Sequence, residues 1–283
     1  KDGVFFKCDP VQVFCGGGDE YGSPDLKWLG SDSSNYYNSY DLKSESGWGE
    51  LMGLIQTLNS DFDNLGEVLN VDRVLWAFAV NSAILNLDTY NGYYIHNFYL
   101  YQTEDGLFQM IPWDFDNAFA GAILGWEYFE PELVYNFDTY GTQFTPNERP
   151  LLQKLLAEPL YKKQFDAHLR TILNESLLDT ASIRDDVSQL HDVAYNAVLE
   201  DNNKAFSMTQ FSSNVEDDLW TNWGFGGIMS MVDARNNYLA GLSTMAMPTP
   251  EISNMTLSNG ILTVDVSLAS QVDVMATTSV HNS

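Results

Sequence analysis

Apolar residues along this chain follow three successive rhythms. Through residue 46 they come in short strand-like runs, Val4-Phe5-Phe6 and Gln12-Val13-Phe14, set among Gly, Ser, Asp and Tyr, with Gly16-Gly17-Gly18 reading as a loop. From Trp48 to Ala246 the spacing is mostly helical. Leu51, Leu54, Ile55 and Leu58 share one face of a helix over Gly49 to Leu58, and Val71 to Leu87 is apolar on nearly every side, the pattern of a buried helix with Asn70 or Asp72 as its cap. Further helices are predicted over Leu151 to Leu156, Pro159 to Leu173, Ser182 to Glu200 and Ile228 to Met245. Pro159 suits a first-turn position, where its missing N–H would be unpaired anyway. Within Ser182 to Glu200, Ile183, Val187, Leu190, Val193, Ala194 and Ala197 form an apolar stripe with acids opposite. After Pro248-Thr249-Pro250 the spacing alternates as in strands, most clearly over Ile261 to Val266, with Asn259-Gly260 as a hairpin turn. The tail reads as the opening strands of a separate β-sandwich module.

The helical region is interrupted by a predicted β-hairpin, Ile95 to Tyr101 followed by Gln109 to Phe119. Apolar residues run through both strands, while His96, Asn97, Asp114 and Asp116 gather where the runs begin or end, the places where a scaffold displays chemistry. An amide, an imidazole and two carboxylates suit a divalent cation. Short carboxylates after a strand also cap helices and turns by accepting backbone N–H bonds, and the Asp-x-Asp spacing alone does not separate these readings.

Charge narrows the class of partner. Lys+Arg number 13 against 39 Asp+Glu, a formal net charge of −26, so nucleic acid and anionic membrane surfaces would be repelled. Hydrophobic content of 45% over 283 residues supports a globular chain with one large core or two smaller ones. No run approaches the roughly 18 apolar residues of a membrane helix, and the first residues lack a basic region followed by an apolar one. Cys8 and Cys15 flank a short loop and read either as a disulfide or as free buried thiols, and two ligands are too few for a zinc site. Asn174-Glu175-Ser176 and Asn254-Met255-Thr256 match the glycosylation acceptor triplet, a pattern frequent by chance.

His96-Asn97-Phe98-Tyr99-Leu100-Tyr101, a short hairpin, then Ile111-Pro112-Trp113-Asp114-Phe115-Asp116 resembles the signature of the CotH family, the kinase-like proteins related to spore coat protein H. Gly3-Val4-Phe5-Phe6-Lys7 is similar to that family's Leu-Tyr-Lys strand. Tyr36 to Leu42, the helix near Trp48 and Leu85-Asn86-Leu87-Asp88 follow in the family's order, so that the resemblance extends over residues 1 to 246. It implies an α+β, mostly helical fold: a kinase-like C-terminal lobe with a central hairpin. Expected boundaries are 1–46 for a remnant of N-lobe strands and loop, 47–247 for the helical lobe and 248–283 for the start of the β-sandwich. Family members begin further upstream, so the chain is expected to be a fragment or a processed piece, with any signal peptide in the upstream part.

The resemblance also implies roles. Asp88 matches the aspartate of the family's catalytic loop and would be the base, while Asp114 of the Trp-Asp-Phe-Asp motif and Asn97 of the His-Asn pair would hold Mg²⁺ or Mn²⁺ with ATP, using the hard oxygen donors that Mg²⁺ prefers. Asp116 stands as a further metal ligand or as a group orienting the ligands, and Lys7 as a cation for the nucleotide's phosphates, although the upstream lobe would ordinarily carry the main phosphate lysine. His96 reads as a packed histidine. ATP brings about four negative charges, and each close like-charge pair costs on the order of 4 kcal/mol at an effective dielectric near 20, so nucleotide binding here demands a divalent metal. No glycine-rich phosphate loop ending in Lys-Ser/Thr, His-Arg-Asp, Asp-Phe-Gly, Gly-x-Ser-x-Gly or His-Glu-x-x-His occurs, so a kinase would be atypical and hydrolase readings lose support. The expected function is a secreted or cell-surface kinase acting on Ser or Thr of an envelope or extracellular protein. The alternative is a non-catalytic structural or adhesion protein that keeps the fold as scaffold, which the Tyr36-Tyr37-Asn38-Ser39-Tyr40 stretch and the β tail would suit.

Overall fold

A computed structural model describes residues 3–10, 22–121, 131–220, 224–247 and 251–267. The chain divides into two compact units, Lys1–Leu242 and Ser243–Ser283. The first is α+β, with helices gathered around a small antiparallel sheet. Four strands, β1 (Phe5–Cys8), β2 (Tyr40–Leu42), β3 (Phe98–Gln102) and β4 (Phe108–Pro112), lie in the order β2-β1-β3-β4. The described part of the segment 1–46 therefore shares one sheet with the hairpin. Phe6 pairs with both Leu42 and Leu100, and Tyr99 pairs with Ile111. Alternation sends Phe6, Cys8, Phe98, Leu100, Phe108 and Met110 into the core, leaving Lys7, Tyr99 and Ile111 half-buried on the other face. Cys8 is buried and free; Cys15, like the predicted strand Gln12 to Phe14, lies outside the described residues.

Helices α1 (Trp48–Ser60) and α2 (Val71–Ala83) come before the hairpin. Leu51, Leu54, Ile55 and Leu58 are the buried face of α1, and Asn70 rather than Asp72 caps α2, its side chain accepting the Arg73 N–H at 3.1 Å. α2 is the central helix, packed on β4 and on α5, and it stops four residues short of the predicted end. Leu85 takes a left-handed conformation (φ 50), the Asn81 carbonyl accepts the Asn86 N–H at 2.9 Å, and the Ser82 carbonyl is held by Arg235, so the chain turns out of the helix there.

After the hairpin come α3 (Pro131–Tyr135), α4 (Pro150–Ala157) and α5 (Pro159–Ile172), the last two each begun by a proline in the first turn. A π-turn, Leu173–Leu177, leads to α6 (Thr180–Glu200), then α7 (Met208–Ser213), a two-stranded ribbon of β5 (Leu219–Trp220) and β6 (Gly224–Phe225), and α8 (Ile228–Ala240). α8 ends at Ala240 rather than Met245, the chain leaving the helix at Gly241. No residue of α6 is fully buried, and Ile183 of its apolar stripe packs against the core from a half-buried position.

The second unit contains a hairpin, β7 (Ile252–Ser258) and β8 (Ile261–Val266), turned by Asn259 (φ 51) and Gly260 (φ 77), the pair of positive φ values that an Asn-Gly turn supplies. No helix among the described residues is long and apolar enough to cross a membrane.

Candidate active site

The loop from Ile84 to Asn97 joins α2 to β3, and its shape follows from a network of amides. Asn81 donates to Asn91 at 3.2 Å, Asn86 donates to Asn81 at 3.1 Å, and Asn91 donates to the Phe78 carbonyl at 3.2 Å and to Ser82 at 3.1 Å, all in a buried pocket at the end of α2. Buried amides hold a loop in place because an unmet donor or acceptor there would cost about 1–3 kcal/mol. Gly92 passes so close to Leu87 that a Cβ would sit 2.0 Å from the Leu87 oxygen, leaving room for no other residue. From outside, the buried Arg149 guanidinium donates to the carbonyls of Gly92 and Tyr93, both at 2.9 Å, and the Tyr90 hydroxyl ties the loop to the Asp25 carbonyl at 2.8 Å.

This scaffold presents Asp88. One of its carboxylate oxygens is hydrogen-bonded to His96 Nε2, and the other accepts from the amides of Asn97 and Asn117, each at 3.2 Å. Asn97 also donates to the Asp88 carbonyl at 3.0 Å, its backbone is left-handed (φ 57), and its carbonyl accepts the Trp113 N–H at 3.0 Å. That last bond closes the ends of the hairpin and aims the Trp113–Asp116 turn at the Asp88 loop. With the Asn97 N–H₂ engaged, its Oδ1 accepts no bond from a described residue and is available as a ligand.

Asp114, also left-handed (φ 57), and Asp116 are exposed. The Asp116 carboxyl is raised above its usual range by partial burial, by the charge of Asp114 and a hydrogen bond with it, and by the charge of Asp88. Three carboxylates thus crowd one place, and no lysine or arginine among the described residues pairs with Asp114 or Asp116. Asp88, Asn97, Asp114 and Asp116 are therefore brought together. Among the described residues no group of three or more His, Cys, Asp or Glu side chains is placed to hold a metal ion. An open set of two carboxylates and an amide oxygen still fits Mg²⁺, which keeps waters and takes phosphate oxygens as remaining ligands.

Lys7 stands opposite Tyr99 in the sheet, but its ammonium is paired with Asp9 at 2.5 Å. Asp9 in turn faces His96 Nδ1 at 3.4 Å, making an alternating row Lys7, Asp9, His96, Asp88. His96 is the residue that sequence reading set aside. Burial alone would lower its pKa, yet the hydrogen bonds and charges of Asp88 and Asp9 outweigh it and raise the imidazole to about 9. His96 is then a cation at neutral pH, and its bond to the Asp88 carboxylate orients that group. The signal available in the sequence was its place beside Asn97; nothing pointed to Asp9, Asn117 or Arg149, whose roles come from tertiary contact.

A folded-state pKa above the unfolded value near 6.5 means that the imidazolium contributes stability in full below pH 6.5 and loses it as pH rises through 9. The contribution is at most about 3 kcal/mol. In metal-free buffer, the stability advantage of the wild type over His96→Gln, read from urea unfolding, is expected to shrink between pH 6.5 and 9.5. A pH-independent advantage would show that His96 is held as a neutral ring.

No curated protein and no solved structure matches this chain. A family model described as CotH kinase protein matches residues 1–219, which include the whole hairpin, the Asp88 loop and the Trp113–Asp116 turn. With most of its length and every element of the site inside that match, the chain belongs to the CotH family.

Proposed function

We propose that this protein is an atypical, secreted or surface-exposed kinase that transfers the γ-phosphoryl of Mg·ATP to Ser or Thr of an envelope or extracellular protein. The observation carrying the reading is the fixed Asp88 carboxylate, beside a cluster of carboxylates with which no lysine or arginine among the described residues pairs. Asn97 Oδ1, Asp114 and Asp116 are the groups that would hold Mg²⁺ or Mn²⁺, and the metal would supply the positive charge that nucleotide phosphates need next to an acidic chain. Asp88 would accept the proton of the attacking hydroxyl as its oxygen bonds to the γ-phosphorus and the bond to ADP breaks. A carboxylate has about four lone-pair sites, so the three donors already present leave one for that hydroxyl. His96 would orient the Asp88 carboxylate, and Arg149 would fix the loop that carries it. On this reading the first unit is a kinase-like lobe, and β7 and β8 open a β-sandwich, whose further strands would cover Ile252, Leu257 and Leu262, which share one face and are exposed in the hairpin alone.

A non-catalytic scaffold is the competing reading, and the Lys7–Asp9 pair favours it by occupying a candidate phosphate cation. Transfer of label from γ-labelled ATP to the protein itself and to a Ser/Thr-rich acceptor separates the two. Incorporation that requires Mg²⁺ or Mn²⁺ and vanishes with chelator is expected. A folded sample that binds no Mg·ATP by calorimetry and transfers no label would establish the scaffold.

A further inference from the structure

Ile183 of the α6 stripe packs against the core, and the stripe beyond it forms one wall of a groove. The cavity measures about 930 Å³ and is lined by Val187, Leu190 and Ala194 from α6, by Phe206 and Phe211 at α7, and by Ile228 at the start of α8. Leu190 is 69% exposed and its neighbour Val193 82%. Apolar side chains left in water as a continuous strip on a helix of 21 residues are what an interaction surface presents. Inside the groove, the His191 ring stacks on Phe211 at 4.5 Å, while its Nε2 is sealed from water with no hydrogen-bond partner.

Charge selects the occupant. Residues 180–228 carry eight carboxylates against two cations, Arg184 and Lys204. Both cations are already engaged: Arg184 by Glu216 at 2.8 and 3.0 Å, Lys204 by the carbonyls of Leu199 and Asp201 at 3.3 and 2.7 Å. Asp186 directly precedes the lining residue Val187, Asp217 falls between the lining residues Val215 and Leu219, and Asp201 lies in the segment between the lining residues Ala194 and Ala205; all three are exposed. A second copy of a chain of net charge −26, an anionic lipid surface and a fatty carboxylate would all be repelled from this rim. We propose that the groove binds an amphipathic helical segment of a partner protein, its apolar side chains inserted between α6 and α7 and its Lys and Arg residues facing the acidic rim. The site is separate from the Asp88 centre and holds whether or not the protein transfers phosphate.

The test uses a labelled probe peptide with Leu and Phe at i, i+3, i+4 and i+7 and Lys elsewhere, titrated against the full chain by fluorescence anisotropy. Saturable one-to-one binding is expected, weakened about tenfold or more by Ala194→Arg, which blocks the groove with a cation, and about threefold by Asp186→Asn with Asp201→Asn. The His191 ring resonances are expected to shift on binding. Circular dichroism checks that the variants, all at solvent-facing positions, keep the wild-type helix content. Equal binding of a peptide whose Leu and Phe are replaced by Ser, or whose Lys are replaced by Glu, would overturn the proposal. So would sedimentation showing reversible dimers that Ala194→Arg dissociates, which would make a second copy the occupant.

Discussion

Replacing Asp114 with asparagine is expected to lower Mg²⁺-dependent phosphoryl transfer by on the order of 10³-fold while leaving the thermal midpoint nearly unchanged. The two halves of that expectation have separate reasons. Asp114 is exposed and contacts its surroundings mainly through Asp116, so little of the fold depends on it. Its backbone is left-handed (φ 57), a conformation Asn tolerates and Ala does not, so asparagine removes the charge without adding strain of about 1 kcal/mol. Function is different on the proposed reading, because a divalent cation held by two carboxylates and an amide oxygen would lose half of its anionic ligands. Calorimetry with Mg·ATP and the labelled-phosphate assay check this together. The variant also relieves Asp116 of a like charge, and its carboxyl should titrate closer to the ordinary range by NMR. Unchanged nucleotide affinity and transfer in Asp114→Asn would remove the metal role from the Trp-Asp-Phe-Asp turn.

The parts of this fold legible in the sequence are those dictated by local chemistry. The buried face of α1, the Asn70 cap, the first-turn prolines of α4 and α5 and the Asn259-Gly260 turn each depend on residues a few positions apart. Periodicity failed where a distant group decides. Apolar residues continue past Ala83, so the pattern alone extends α2 to Leu87, yet Arg235, 153 positions away, captures the Ser82 carbonyl and the helix ends. The α6 stripe was readable, but its meaning was not: periodicity shows that one face is apolar, not whether the protein's own core covers it.

The site divides in the same way. Asp88, Asn97, Asp114 and Asp116 were visible as oxygen donors in motifs that resemble a known family. Their support was not. The placing of His96 between two carboxylates is not readable in sequence, since Asp9 and Asp88 lie 79 positions apart, both before His96, and only the fold brings them to its two ring nitrogens. Charge placement gives the group its coherence. His96 counters Asp88 and Asp9, Lys7 counters Asp9, and the remaining carboxylates at Asp114 and Asp116 pair with no cation among the described residues. That imbalance is the physical argument for a metal, and the amide network around Asn81 and Asn91 is what keeps the loop rigid enough to maintain it.

Arg235→Met is expected to destabilise the protein more than any change within the catalytic cluster. The guanidinium is fully buried and meets no carboxylate; it donates to the carbonyls of Ser82 (2.7 and 3.0 Å), Tyr135 (3.0 Å) and Phe137 (2.8 Å), and lies over the Tyr238 ring at 4.6 Å. Burial lowers its pKa to about 10, which still leaves it a cation at neutral pH. Methionine keeps most of the volume, so the cavity penalty is small and the loss comes from three orphaned carbonyls at about 1–3 kcal/mol each. A total on the order of 4 kcal/mol corresponds to a drop of roughly 10 °C in thermal midpoint for a body of this size. Arg235→Lys is expected to fall between, since one ammonium cannot reach carbonyls on α2, on α3 and beyond it together. The Ser82 carbonyl belongs to the turn that begins the Asp88 loop, so the same variant should speed amide exchange across Ile84 to Asn97 before global unfolding. Exchange in that loop unchanged from wild type, with α8 alone loosened, would show that Arg235 braces the helices without supporting the site.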